Sequence, residues 1–249
     1  MKYLFAILLP LLTTFVLPAH AAAVRVAVAA NFLQPMQEIA ARFSRETGHS
    51  ALLTSGSSGK IYAQIKNGAP FGIFLSADAD KPARLEQEGL AVAGSRFTYA
   101  QGALALWSAD PGLIRDGAEI LHRAGFRHLA LANPRLAPYG VAALETLESL
   151  DVKQRLAGKF VRGENIAQTY QFVATGNAEL GFVAVSQITV EGKLKGGSAW
   201  LVPAGLHRPI RQDAVLLLPA RDNPAAKALL EYLRSDAAGA IIARYGYHR

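Results

Sequence analysis

The chain has 249 residues, 51% of them hydrophobic and 18% charged, with 26 Lys and Arg against 19 Asp and Glu, for a formal charge of +7. It carries no block of like charges, no low-complexity tract and no fixed-period repeat, which excludes a disordered or repeat-built protein. It has no cysteine, which excludes disulfides and a lipid-bearing cysteine; a chain this long can build a core without them.

The first segment stands apart from the rest. Lys2 is followed by an uncharged run from Tyr3 to Pro18, rich in Leu, Ile, Phe and Val, and then by Ala19-His20-Ala21, a small-x-small cleavage pattern. Residues 1–21 are therefore expected to be a secretory signal peptide and not a membrane span, since Pro10 and Pro18 interrupt the run. Removal takes away Lys2 and leaves a mature chain starting at Ala22. No later stretch is long and apolar enough to cross a bilayer.

From Val24 the pattern becomes strand, loop, helix, repeated. Val24 to Ala29 is a short β-branched run. Asn31 is expected to cap a helix in which Phe32, Met36, Ile39, Ala40 and Phe43 recur at helical spacing, with Gly48 as its stop. Ala51 to Thr54 is a second strand, and Ser55-Gly56-Ser57-Ser58-Gly59 turns into a helix ended by Gly68-Ala69-Pro70. Ile73 to Leu75 is a third strand, closed by Ser76-Ala77-Asp78. Further on, the pattern predicts strands at 128–131, 159–161 and 180–184. It predicts helices over about 140–150, 152–156 and 166–175, and a last pair broken near Ser235-Asp236.

Such alternation implies mostly parallel sheets flanked by helices, an α/β fold. Two apolar runs, Phe97 to Trp107 and Ile210 to Pro219, are long enough to pass between two lobes. If they are the crossovers, lobe one is 22–100 plus 211–249 and lobe two is 101–210. In such sheets a ligand sits at the carboxyl ends of strands, facing helix N-termini.

Four strand-to-helix loops have the character such a site needs: Ala30-Asn31, Ser55 to Gly59, Pro138-Tyr139-Gly140 and Asn165-Ile166. Each offers unpaired first-turn N–H groups, which with the helix dipole favour negative charge. Any one of them is also explained by plain N-capping. Other chemistry finds little support. Gly59-Lys60 lacks the spacing of a phosphate-cradling loop, and Gly56 to Gly59 lacks that of a nucleophile elbow. The histidines are dispersed, and Asp78 and Asp80 lack a calcium loop. The basic residues are scattered, and the export signal removes nucleic acid as a partner.

Together, the Val-Ala-Ala-Asn stretch, Ser55 to Lys60, Gly68-Ala69-Pro70 with Leu75 to Asp78, the Asn133-Pro134…Pro138-Tyr139-Gly140 segment and the closing Tyr245-Gly246-Tyr247 resemble the periplasmic molybdate-binding proteins of ABC transporters, over essentially the whole mature chain. The resemblance implies a two-lobed periplasmic binding protein fold of the second type, with two crossover strands. It implies a carrier and not an enzyme, free in the periplasm, that takes molybdate or tungstate as its ligand, uses no cofactor or metal beyond the molybdenum of the oxyanion, and delivers it to a membrane permease. It is expected to act as a monomer, with no membrane anchor.

Carried over by motif, Asn31 and Ser58 contact the anion, while Tyr139 and Ile166 contact it through their backbone N–H groups, their side chains serving only as packing. Three positions depart from the family: Ala184 stands where many members have a Tyr whose hydroxyl reaches the anion, Asn31 where Ser is common, and Gly72 where Asp is usual. Fully deprotonated oxyanions suit a donor-only site, whereas phosphate keeps a proton and needs an acceptor. A sulfate- or phosphate-type binding protein, an exported hydrolase using Ser57 or Ser58, and an exported interaction module remain as alternatives.

Overall fold

The computed structural model describes residues 21–248. All but the last residue of the expected signal peptide lies outside them. The first run of elements is β1 (Ala23–Ala29), α1 (Leu33–Thr47), β2 (Ser50–Gly56), α2 (Ser58–Lys66), β3 (Ile73–Leu75), α3 (Asp80–Gln87) and β4 (Phe97–Gly102). The second is β5 (Leu104–Ser108), α4 (Glu119–Arg123), β6 (Leu129–Ala132), α5 (Pro138–Ser149), α6 (Lys153–Leu156), β7 (Phe160–Gly163), α7 (Ile166–Ala174), β8 (Leu180–Ala184), α8 (Val185–Ile188), the small hairpin β9 (Thr189–Val190) and β10 (Lys193–Leu194), and β11 (Ser198–Leu201). The chain then returns through β12 (Ile210–Leu216), α9 (Pro224–Arg234) and α10 (Asp236–Arg244).

Two five-stranded sheets form the two lobes, in the orders β2-β1-β3-β12-β4 and β11-β5-β8-β6-β7. Each is mixed: four of its five strands point one way, and one strand, β12 in the first sheet and β5 in the second, is reversed. β2, β1 and β3 run together, as do β7, β6 and β8; the other two pairings in each sheet are antiparallel. The reason is topological. β12 enters the first sheet, and β5 the second, directly from the opposite lobe and runs against its neighbours. β4 and β5 belong to different sheets with Ala103 alone between them, so the apolar run 97–108 does change lobes. The run from Ile210 does not: β12 stays in the first sheet, and the second passage is the segment 202–209 before it.

Local chemistry explains most of the elements. α1 buries Met36, Ile39 and Phe43 on one stripe, and Gly48, at φ +74°, ends it by donating its N–H to Ser44 O. Asn223 and Ser235 cap α9 and α10 with side-chain oxygens that accept from Ala226 and Ala238 N–H. Asn31 does not cap α1. It lies in a 3-10 turn, Ala30–Phe32, that precedes the helix, because its buried amide is engaged elsewhere. α3 is too short for a clear period, with Pro82 and Leu85 as its buried anchors. Gly72 lies so close to the base of β1 that a Cβ there would meet Val24 and Ala220 at 2.7 Å, so no aspartate side chain fits in this arrangement.

Candidate ligand site

The four loops singled out by their sequence come together. Ala29 to Asn31, Gly56 to Ser58, Ala137 to Tyr139 and Asn165-Ile166 line one small cavity between the lobes, joined by Ala77 from the loop after β3. Its volume is about 10 Å³. That is about the room one water-sized group needs, so in this arrangement a sugar, nucleotide or peptide does not fit. Among the described residues, no Lys, Arg, Asp, Glu or His lines it.

Three helices begin at this cavity. Ser58 is the first residue of α2, Ile166 the first of α7, and Tyr139 the second of α5, after Pro138, whose missing N–H costs nothing at that position. First-turn N–H groups have no intrahelical acceptor, so those of Ser58, Tyr139 and Ile166 are left for a ligand. The start of α7 is held by a reciprocal cap: Asn165 Oδ1 accepts from Gln168 N–H at 2.9 Å, and Gln168 Oε1 accepts from Glu164 N–H at 2.7 Å. Ser58 is buried and its Oγ accepts from Ala77 N–H at 2.9 Å, which leaves its own hydroxyl proton to donate. Beside it Ser57 Oγ is buried with no partner at all. A buried hydroxyl without a partner is unfavourable unless a ligand satisfies it. Ser57 has no binding role in the sequence pattern alone; its burial is the missing signal.

Asn31 is placed differently from its expected role. Its Nδ2 donates to Gln212 Oε1 at 2.8 Å and to Tyr247 Oη at 2.9 Å, so both amide protons are used inside the protein. Its carbonyl oxygen accepts from Tyr247 Oη at 2.8 Å and from Ser186 Oγ at 3.1 Å. Asn31 therefore lines the cavity with its backbone fixed from both sides. Tyr139 is more than packing: its hydroxyl accepts from Gln212 Nε2 at 3.2 Å. Burial raises the hydroxyl pKa of Tyr99 and Tyr139 well above the ordinary tyrosine value, and that of Tyr247 to about 12, so all three stay neutral near pH 7. Ala184 is buried at the start of α8 and does not line the cavity.

At the rim, Gly59 N–H donates to Leu136 O at 2.8 Å across the lobes, and Lys60 Nζ lies 3.6 Å from Glu164. A larger space of about 450 Å³ adjoins the site and shares Ala77, Ala137 and Pro138 with it. Three acidic residues, Asp78, Asp80 and Glu145, face three basic ones, Lys81, Arg208 and Arg211, with Asp78 paired to Lys81 at 2.5 Å and Glu145 to Arg208 at 2.6 Å, so it has no net charge to favour an anion. The small cavity, by contrast, has no charged side chain among its lining residues and takes the first-turn N–H groups of three helices together with the hydroxyls of Ser57 and Ser58. Such a hole favours a compact anion that carries no proton. Ser57 and Ser58 have no base beside them and so lack what a nucleophile requires.

Comparison with known proteins agrees with this geometry. The sequence pattern of a family described as bacterial extracellular solute-binding protein matches residues 24–248. The molybdate-binding protein ModA of Azotobacter vinelandii is 55% identical over 229 residues, 92% of this chain and 91% of that one. ModA of Rhodobacter capsulatus is 50% identical over 239 residues, 96% and 93% of the two chains. The solved periplasmic molybdate-binding protein of Azotobacter vinelandii superposes with a TM-score of 0.88 at 40% identity, covering 91% of this chain and 99% of that one. The sulfate-binding protein SubI of Mycobacterium tuberculosis, at 12% identity and a TM-score of 0.74, covering 92% and 86% of the two chains, shares the fold.

Proposed function

Since the chain belongs to the bacterial extracellular solute-binding protein family, we propose that it is the molybdate-capturing component of an ABC transporter and that the small interlobe cavity is where the oxyanion is held. It is a carrier, not an enzyme, and needs no cofactor. One observation carries this reading: the N-termini of α2, α5 and α7 and the turn at Asn31 converge on a cavity without charged side chains. In our assignment Ser58 donates through its hydroxyl and N–H, Tyr139 and Ile166 through N–H, and Asn31 through its backbone, its side chain serving to hold that backbone. Tungstate, of like charge and shape, is accepted as well.

The chain is exported by its N-terminal leader, works free in the periplasm as a monomer and hands its ligand to a membrane permease. Lobe one comprises 22–100 and 211–249 and lobe two 101–210. The sheets support this division to within a few residues: β4 keeps Gln101 and Gly102, and β12 keeps Ile210, in the first sheet, and the chain changes sheet at Ala103 and again between Leu201 and Ile210.

The test is a titration of ligand-stripped protein with molybdate, tungstate, sulfate and phosphate, read by calorimetry and thermal melting. Ligand that binds only the folded state at 1,000 times its dissociation constant stabilises by about 4 kcal/mol. For a chain of this size each kcal/mol moves the midpoint by about 2–4 °C, so saturating molybdate is expected to raise it by on the order of 10 °C. Sulfate at equal ionic strength is the control. A molybdate shift no larger than the sulfate shift counts against the assignment. Tight phosphate binding would show that an acceptor enters the site.

A further inference from the structure

Gln212 does not line the cavity, yet it touches residues that do, on both lobes. It is fully buried on β12, the strand that brings the chain back into lobe one. Its Oε1 accepts from Asn31 Nδ2 at 2.8 Å and from Tyr99 Oη at 3.0 Å, both in lobe one. Its Nε2 donates to Tyr139 Oη at 3.2 Å, in lobe two. Only an amide presents an acceptor to one side and a donor to the other in this way.

Two backbone features make room for this contact. The pairing of β12 with β4 shifts register between Gln212 and Asp213, so that Gln212 faces Ala100, Asp213 faces Thr98, and Tyr99 is left over. Such a bulge re-aims side chains next to a site. On β4, a Cβ at Gly102 would lie 2.1 Å from Tyr139 Oη and 2.6 Å from Gln212 Nε2. The absence of a side chain there lets the tyrosine hydroxyl reach the amide.

We propose that Gln212 is a positioning residue for oxyanion capture, holding Asn31 and Tyr139 at the separation at which their backbone groups meet one ligand. Asn31 is tied to it through its side-chain amide and Tyr139 through its ring hydroxyl, so one side chain sets the distance between a binding segment of each lobe. The inference deepens the oxyanion reading and rests on it.

The test compares molybdate affinity, by calorimetry on the full mature chain, for Gln212→Met, Tyr139→Phe and the double variant, with thermal melting of each ligand-free protein. Gln212→Met keeps the volume and removes all three side-chain hydrogen bonds. Each single variant is expected to weaken binding about tenfold, and the double no more than about twentyfold, because both remove the same link. A Gln212→Met protein that is folded and binds like wild type overturns the proposal. So do single losses that multiply to about a hundredfold, since the two residues would then act independently.

Should Gln212→Met fail to fold, Gln212→Glu decides. Its carboxylate can accept from Asn31, Tyr99 and Tyr139 together, so the fold is satisfied, but it brings negative charge behind the anion. Its affinity, relative to wild type at the same pH, is expected to be at least tenfold lower at pH 8 and to recover as the carboxyl is protonated toward pH 5. Wild-type affinity at pH 8, or a deficit indifferent to pH, overturns the proposal. Failure of wild-type protein to bind molybdate or tungstate would instead sink the oxyanion reading itself.

Discussion

The two flanks of the cavity join the same lobes by opposite means. At the hinge, where β4 and β12 run side by side, the joint is a buried polar cluster of Asn31, Tyr99, Tyr139, Ser186, Gln212 and Tyr247, packed on Phe32, whose ring lies edge-on to Tyr99 and Tyr247 at 4.6 and 5.3 Å. At the rim it is one backbone hydrogen bond, Gly59 to Leu136, and an exposed ion pair, Lys60 to Glu164. Buried hydrogen bonds among neutral groups are costly to break one at a time, because each loss strands a partner away from water. The rim contacts leave no group stranded when they part, since water replaces them. The hinge side is therefore the harder to break, and the rim the side at which the lobes part at least cost.

The strongest way to break the hinge side is alkali. Tyr247 has a pKa of about 12 in the folded chain because burial disfavours the phenolate, against an ordinary value near 10. The folded state thus keeps a proton that the unfolded chain loses. The stabilisation is complete below pH 10 and is lost as pH rises through about 12, amounting to about 3 kcal/mol. Tyr99 and Tyr139 are shifted the same way. Urea unfolding followed from pH 7 to 12 should show constant stability to about pH 9.5 and a fall above pH 10, less steep in Tyr247→Phe. A wild-type protein equally stable at pH 9 and pH 12 would contradict the buried cluster.

Gly102→Ala should have the next largest effect. The new methyl would press on Tyr139 and Gln212, and overpacking of this kind costs about 1–3 kcal/mol. At about 2–4 °C per kcal/mol, the melting midpoint should fall by roughly 2–12 °C, with and without ligand alike. A variant that melts like wild type in both states would show that the hinge cluster is loosely packed.

The same division governs what the sequence disclosed. Strand ends, helix starts and the four cavity loops are local features, set by runs of β-branched residues, by Pro138 before Tyr139, by Asn165 before Ile166 and by Gly48 at a left-handed turn, and these could be read directly. The position of Ser58 also followed from its motif. The hinge cluster was not legible. Gln212 lies 181 residues from Asn31 and 73 from Tyr139, and a glutamine between Arg211 and Asp213 carries no local pattern that distinguishes a hub from a surface side chain. For the same reason the amide of Asn31 reads as a helix cap: its partners within the protein, Gln212 and Tyr247, come from the far end of the chain. The mixed pairing of each sheet was hidden as well, since the direction of a strand depends on where the chain came from, not on its residues.

Gly59→Ala tests the rim alone. A Cβ at Gly59 would lie 3.0 Å from Leu136 Cα and O, so the lobes could not meet as closely. The next nearest atom is Arg135 O at 3.4 Å, also across the cleft. The ligand-free midpoint should stay within about 2 °C of wild type, or move slightly upward, as the helical position favours Ala over Gly by roughly 1 kcal/mol. Molybdate affinity should fall about tenfold, equivalent to about 1.4 kcal/mol for a closure hydrogen bond weakened and strained. Unchanged affinity would show that closure does not depend on this contact.

The smallest effect belongs to the ion pair, and its sign is informative. Lys60 and Glu164 are exposed, at 58% and 67%, and stand 3.6 Å apart; exposed pairs of this kind contribute about 0–1 kcal/mol. As a strut between lobes the pair is weak, and either substitution alone should loosen closure equally. As charges near the mouth of an anion site, however, the two act in opposite directions. Lys60→Ala leaves the carboxylate to repel an oxyanion, and Glu164→Gln leaves the ammonium to attract one. If the Coulombic role dominates, affinity should drop about two- to threefold in Lys60→Ala and rise by a similar factor in Glu164→Gln. Both changes should shrink as salt is raised from 0.01 to 0.15 M, over which the screening length falls from about 30 to about 8 Å. The loss in Gly59→Ala should not respond to salt, because it is steric. Equal losses in both charge variants would make the pair a strut after all. A salt-dependent loss in Gly59→Ala would mean that the rim closes by charge and not by fit.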